Sequence, residues 1–429
     1  MNPLFLNDKP GQFPPSWYAA TAQMPPQRPA LEGAHRVDVA ILGAGFTGLT
    51  AALELARKGL SVAVVEAHRA GFGASGRNGG QVGSGYNMGQ GALEKELGAG
   101  PARALWDLSM DAKAMVRMFC ADHAPDARFR PGVAHGAWGR GEFAELNAEA
   151  DHLARHYDFH LEVHQEAEFR DLVRSPVYRG GTLDRDAGHV HPLRYCLALA
   201  REAEAAGATI FEGSPVTELS KGCLTTALGS VQAAHVVLAG NGYMPALNGT
   251  YAARVCPINS FIAATEPLAD PSLILTEDIA VADDRFVVNY FRLSEDGRLL
   301  FGGRENYGLG FPKDITTRLR HRMLHLFPQL EAARIDYVWG GTLGITMRRV
   351  PLVRQLEPGI WAAGGFSGHG VALTAIAGRC LAEAISNDTT NFNHLSQLPC
   401  PPFPGGSRLR APLLTLAMTW YALRDRLGI

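Results

Sequence analysis

A glycine triplet, Gly43-x-Gly45-x-x-Gly48, separates a short β-rich apolar run at 37–42 from a segment with helical periodicity, in which Leu49, Ala52, Leu53 and Ala56 share one face. Gly59 closes that helix, and 60–66 reads as a second buried strand ending on Glu66. Strand, glycine turn, helix and strand in about 30 residues is a βαβ unit, which requires a parallel sheet covered on both faces. In such a unit the first glycine permits the tight turn, and the second lets backbone approach a pyrophosphate. The third lets helix and strand pack closely. The helix N-terminus offers unpaired N–H groups and a positive dipole end. An acid at the tip of the second strand, here Glu66, accepts hydrogen bonds from a ribose.

Composition narrows the remaining choices. The chain has 429 residues with 46% hydrophobic and 19% charged side chains, enough for two or three domains with large cores. A net charge of −2 excludes the concentrated positive charge of a nucleic-acid binder. The six cysteines form no C-x-x-C and sit at no metal spacing, so they read as reduced, mostly buried thiols of a cytoplasmic protein. No metal site is expected, and His189 and His191 read as a buried structural pair. The N-terminus lacks a basic segment followed by an apolar run, so no signal peptide is expected. The longest apolar stretch near the end, 411–423, falls short of the roughly 20 residues of a membrane-crossing helix.

Along the chain, proline-rich residues 1–35 read as an extended arm. Residues 69–91 are glycine-rich, as in a loop pressed against a ligand. Helices are expected at 92–120, 142–156 and 193–206, strands at 208–211, 231–238 and 359–363, and a turn-rich stretch at 180–192. Residues 251–334 alternate strand and turn signals, which predicts a separate antiparallel sheet. Strand–glycine–helix punctuation returns at 236–242 and again at 359–372. One nicotinamide-binding domain finishes within about 150 residues. The recurrence therefore favours a larger cofactor touched by several distant segments. A helix starting near Gly368 would turn its dipole toward an electron-rich group such as a reduced flavin.

The runs VAILGAGFTGLTAALELARKGLSVAVVEA, GFGASGRNGGQ, DAGHVHPL, VVLAGNGY and GGFSGHGV together resemble the D-amino-acid oxidase/glycine oxidase/sarcosine oxidase class of FAD enzymes. The stretch FGASGRNGGQ and the tail PPFPGGSRLRAPLLTLAMTWYALRDRLG are more narrowly similar to the bacterial gamma-glutamylputrescine oxidases. The likeness runs from about residue 17 to the C-terminus. It implies an α/β, Rossmann-like FAD domain assembled from 36–100, 185–245 and 335–400. It also implies an α+β substrate domain with a mixed or antiparallel sheet from 101–184 and 246–334, and a tail helix at 401–429. FAD contacts are implied at Gly43, Ala44, Gly45, Phe46, Thr47, Gly48 and Glu66, and in the loop at Ala74, Ser75, Arg77, Asn78, Gly79, Gly80 and Gln81. Val216 and Gly240 would meet the nucleotide, and Gly365, Phe366, Ser367, Gly368, His369, Gly370 and Val371 the isoalloxazine.

The implied reaction is hydride transfer from an amine carbon to flavin N5. It gives an imine, then aldehyde and ammonia, with O2 or another acceptor taking the electrons. Glycine and D-amino-acid oxidases hold the substrate carboxylate with an arginine in a W-x-G-x-R strand, where this chain has Leu343. That favours an amine, a gamma-glutamylputrescine-like polyamine derivative, over an α-amino acid, unless Arg292, Arg304 or Arg348 reaches in. Sarcosine oxidases attach FAD to a cysteine shortly after this strand. Residues 339–355 contain none, so non-covalent FAD is expected. Related sarcosine oxidases also use a lysine to activate oxygen, and 298–303 has none. His369, Tyr290 and Arg292 are the candidate pocket residues, and Trp339 reads as core. The alternatives are an amino-acid or N-methylamino-acid oxidase and a flavin-binding subunit without turnover. The tail at 404–429 reads as a helix docked on the protein's own surface or on a partner subunit, with peripheral membrane contact as the alternative.

Overall fold

The computed structural model describes residues 4–244, 247–283, 285, 288–306 and 310–407. Of the expected tail helix at 401–429, residues 408–429 lie outside the described residues.

The βαβ unit forms as expected. It links β1 (Gly33–Leu42) and β2 (Val62–Val65), parallel neighbours in one sheet, through the Phe46–Arg57 helix. The sheet continues through β7 (Thr209–Phe211), β10 (Gly229–Leu238), β16 (Leu352–Glu357) and β17 (Ile360–Gly364), in the order β16-β17-β10-β1-β2-β7. A hairpin of β8 (Glu218–Ser220) and β9 (Cys223–Thr225) pairs with β10. All four residues of β2 are buried, because helices cover one face and apolar residues such as Leu31, Leu224 and Leu352 the other.

The second sheet holds β15 (Ile335–Ile345), β11 (Cys256–Thr265), β14 (Leu299–Asn306), β13 (Tyr290–Leu293), β12 (Ala280–Asp283), β4 (Arg130–Gly136), β6 (Gly180–His189) and β3 (Gln81–Val82) in that order, with β5 (Glu162–Gln165) beside β6. It is mixed: β12 and β4 run parallel and its other pairs antiparallel. One face packs on Phe169, Leu319, Met323 and Phe327, and the other turns toward the first sheet's glycine loops.

Four expectations change. The turn-rich stretch at 180–192 is largely the ten-residue strand β6. Its Asp184, which reads as a turn residue, is instead buried and accepts the amides of Asp186 and Ala187 at 2.9 and 3.0 Å. The Thr316–Leu326 helix interrupts the expected run of strands, burying Leu319, Met323 and Leu326 along one stripe. Residues 335–345, expected with the nucleotide segments, pair along β11 in the second sheet, as does β6 from the 185–245 segment with β4. The arm is not merely extended: the Trp17–Thr21 helix, capped by Ser16, buries Trp17 and Tyr18 against Trp339 and Leu193.

Candidate active site

The ends of β1, β2 and β10 open on a cleft enclosing about 880 Å³ of atom-free space. Gly43, at φ +103°, turns the chain out of β1, and a Cβ there would stand 2.9 Å from the carbonyl oxygen of Ala239. A Cβ on Gly48 would run into the Gly43 carbonyl oxygen, so the third glycine sets how closely helix and turn approach. The Phe46–Arg57 helix starts on Gly45 with no cap from that residue, while Ser75 Oγ accepts the Phe46 amide at 2.9 Å. Of the expected contacts, Gly43, Ala44, Gly45, Phe46, Thr47, Glu66, Ala74, Ser75, Val216, Gly240 and Phe366 all line this cleft.

Glu66 joins the two strand ends: its carboxylate accepts the Ala44 amide at 2.8 Å and the His68 amide at 2.9 Å. Burial raises its affinity for a proton, and these amides act in the opposite direction. The cleft also has walls that sequence reasoning missed. His68 stacks on Phe72 at 3.8 Å between centroids, accepts the Gly11 amide and donates to the Leu4 carbonyl. The arm thus folds over the nucleotide end, which its proline-rich composition did not signal. Asn241, at φ +48°, accepts the Gly365 amide at 2.9 Å and joins the two later glycine turns. Its place inside AGNGY was the available clue.

The polar side chains of the glycine-rich loop find partners within the protein. Arg77 was expected to offer donors to a flavin. It is buried and donates to the Phe72 carbonyl at 2.7 Å, Asp8 at 2.8 Å and the Gly340 carbonyl at 3.1 Å, with its guanidinium over the Phe72 ring, while its Nη2 is buried with no hydrogen-bond partner. Asn78 closes its own loop through Ala74, Ser75 and Gly80, and Gln81 donates to the Val281 carbonyl. Arg292 was expected as a pocket residue. Its guanidinium is consumed by the carbonyls of Gly79, Val190 and Leu293 and by the Tyr18 hydroxyl, so it anchors the loop to the second sheet. Tyr290 packs its ring on Gly79 and Gly302 and pairs its hydroxyl with Ser260 at 3.2 Å. Trp339 is core, donating to the Arg77 carbonyl.

Beyond β17 the chain makes a tight turn with positive φ at Gly365, Ser367 and Gly368, then enters the Gly370–Ile385 helix, whose first turn begins with Gly370 and Val371. Ser367 Oγ donates to the Gly365 carbonyl and accepts the Thr346 amide. The His369 ring lies against Gly83 and bonds the Ser84 carbonyl at 3.1 Å. Burial and the neighbouring His135 push its pKa down to about 4. Leu343 sits on β15 opposite Ile258. Arg348 pairs with Glu96 at the surface, and the Arg304 side chain lies outside the described residues.

A cradle in which added methyl groups would strike backbone, an acid at the tip of β2 and a second glycine turn at a helix start together fit an adenine dinucleotide with a flavin. A family model described as FAD dependent oxidoreductase (DAO) matches residues 38–384. A probable oxidoreductase OrdL of Rhizobium meliloti (strain 1021) is 42% identical, covering 96% of this chain and 97% of that one. The gamma-glutamylputrescine oxidoreductase of Escherichia coli (strain K12) is 35% identical, covering 96% and 99%. The crystal structure of glycine oxidase from Geobacillus kaustophilus superposes with a TM-score of 0.72 at 23% identity, covering 83% of this chain and 96% of that one.

Proposed function

The chain belongs to the FAD dependent oxidoreductase (DAO) family, and on that premise we propose that it oxidises the amine carbon of gamma-glutamylputrescine or a related polyamine derivative. It is an FAD-dependent enzyme of the class that acts on amines. The observation that carries the substrate reading is the state of its arginines. By its likeness to the amino-acid oxidases Leu343 stands where the carboxylate-clamping arginine would be, and Arg292 has its guanidinium committed to protein oxygens, as has Arg77 apart from a buried Nη2 that bonds no oxygen. A substrate carboxylate beside the reacting carbon would be buried without its bidentate partner, which is costly. An unbranched primary amine with a distant polar end avoids that cost. The 35% identity to the E. coli gamma-glutamylputrescine oxidoreductase supports the same substrate class.

Bound FAD supplies the acceptor for a hydride and passes the electrons to O2 or another acceptor. The Gly43–Phe46 turn and its helix N-terminus would hold the pyrophosphate, and Glu66 the ribose. Val216 and Gly240 would flank the nucleotide, and the 365–371 turn the isoalloxazine. His369, neutral at physiological pH, would present an uncharged polar edge and help exclude water. Tyr290 would wall the substrate side. Water converts the imine to aldehyde and ammonia. Among the described residues no helix is long and apolar enough to cross a membrane, which is compatible with the cytoplasmic location proposed here.

The test is anaerobic flavin bleaching, with kcat/KM compared for gamma-glutamylputrescine, putrescine, glycine, sarcosine and D-alanine on one preparation. The two amines are expected to lead. If glycine, sarcosine or D-alanine leads, the amino-acid-oxidase alternative takes the place of this reading.

A further inference from the structure

Four residues of the second sheet stand in one row across neighbouring strands. His135 on β4 lies opposite Thr182 on β6 and Ala282 on β12, and Ala282 lies opposite Tyr290 on β13. Thr182 and Ala282 are buried, yet His135, in the interior of the sheet, is exposed. Its chain neighbour Ala134 points into the apolar cluster with Phe169, Val281 and Phe291. Strand alternation therefore turns His135 to the opposite face, where Tyr290 and Arg292 meet the glycine-rich loop. An accessible imidazole at the centre of a sheet, flanked by buried neighbours, opens into the space between the sheet and the 365–371 turn.

That space is polar. Asp184, one pleat along on the same face, accepts two backbone amides through Oδ1 and the Ser84 hydroxyl through Oδ2. Ser84 in turn offers its carbonyl to His369. The titratable groups facing His135 are Asp184 on β6, His369 at the start of the Gly370–Ile385 helix and Tyr290 on β13. Lys113 of the Ala99–His123 helix stands behind Asp184, 3.8 Å from its carboxylate.

We propose that His135 is the catalytic base of this site, taking the proton from the substrate's ammonium before oxidation. The proposal rests on the amine reading above. An alkylammonium has a pKa near 10.4, so at neutral pH only about one molecule in a thousand carries the lone pair that oxidation requires. The step balances once desolvation in the site has brought the bound ammonium's pKa down toward that of the ring: R–CH2–NH3+ and neutral imidazole become R–CH2–NH2 and imidazolium, with Asp184 placed to stabilise the new charge. The His135 ring faces open space but is ringed by protein, whose low polarity lowers its affinity for a proton, while Asp184 acts in the opposite direction. His369 is the poorer base, since burial and the neighbouring His135 hold its pKa down to about 4.

Anaerobic flavin reduction by gamma-glutamylputrescine, followed from pH 6 to pH 10.5 in wild type and His135→Gln, tests this. At pH 7 the variant is expected to lose about 10²–10⁴-fold, recovering toward wild type near pH 10 as the substrate loses its own proton. An equal loss at every pH, or no loss, overturns the proposal. A second readout needs no turnover. Imidazole ¹⁵N resonances of the oxidised, FAD-loaded protein, with His135 identified by its absence in His135→Gln or His135→Asn, should show it neutral at pH 7. An imidazolium there overturns the proposal as well. If no amine reduces the wild-type flavin, the amine reading itself falls and takes this step with it. If amines reduce it and the variant keeps the wild-type profile, only the role of His135 falls.

Discussion

The carboxylate of Glu66 accepts the backbone amide of Ala44 at 2.8 Å, binding the tip of β2 to the glycine turn that follows β1. The acid expected to hold a ribose therefore also shapes the turn expected to hold the pyrophosphate. Glu66→Ala should lose a charge-assisted hydrogen bond of roughly 1.5–3 kcal/mol, lowering FAD affinity about ten- to a hundredfold while the fold survives. FAD retention on dilution, read by fluorescence of released flavin, checks it. Unchanged retention would refute the role.

Gly48→Ala isolates sterics from backbone strain, because this glycine lies inside a helix and its added methyl meets the Gly43 carbonyl. Overpacking of this kind costs about 1–3 kcal/mol. The urea midpoint should fall and FAD binding should weaken with it. A variant of wild-type stability and affinity would mean the turn has room to relax.

Arg77 and Asp8 form an ion pair with only 1% and 8% of their side chains exposed, joining arm to loop. Removing one partner of such a pair costs about 3–5 kcal/mol, because the other charge is left without compensation. Arg77→Ala should therefore destabilise strongly and free the arm for limited proteolysis before residue 16. If Arg77→Ala melts with wild type and the arm resists protease, the clamp carries no weight.

Five histidines, His68, His135, His189, His191 and His369, are held below the ordinary value of 6.5, chiefly because surrounding protein withholds water from the charged ring, even at His135, whose ring faces open space. A group with a depressed folded pKa binds more protons when unfolded. Stability should thus be constant above about pH 6.5 and fall as pH drops toward 4. Thermal melts across that window measure it. His191 caps the Pro192–Ala205 helix by accepting the Arg194 amide, so His191→Asn keeps a cap and should flatten the slope. A melting temperature that rises on acidification would contradict the linkage.

Residues 339–355 hold no cysteine, and the described cysteines are all free, five of them buried. FAD should therefore leave with the supernatant when the protein is precipitated by acid or heat. Yellow colour kept in the pellet would mean a covalent link.

The βαβ unit was legible because its information is local: strand run, glycine turn, helix stripe and terminal acid lie within about thirty residues, and each residue type answers a constraint imposed by its neighbours. The recurrence of glycine turns at 236–242 and 359–372 was legible for the same reason, and the structure ties them through Asn241 and Gly365. What Arg77, Arg292 and Asp184 do was not legible. Each is a polar residue whose role depends on partners far away in sequence: Gly340 for Arg77, Gly79 and Val190 for Arg292, and Ser84 for Asp184. A lone histidine at 135 carries no signal either, since whether it faces core or cavity is decided by the register of β4 against β6 and β12. Sequence alone determined the nucleotide turn, because covalent neighbours dictate turn and helix start. Tertiary structure decided which charged side chains remain for chemistry, because a buried guanidinium or carboxylate goes to whatever oxygen or amide the fold brings within hydrogen-bonding distance.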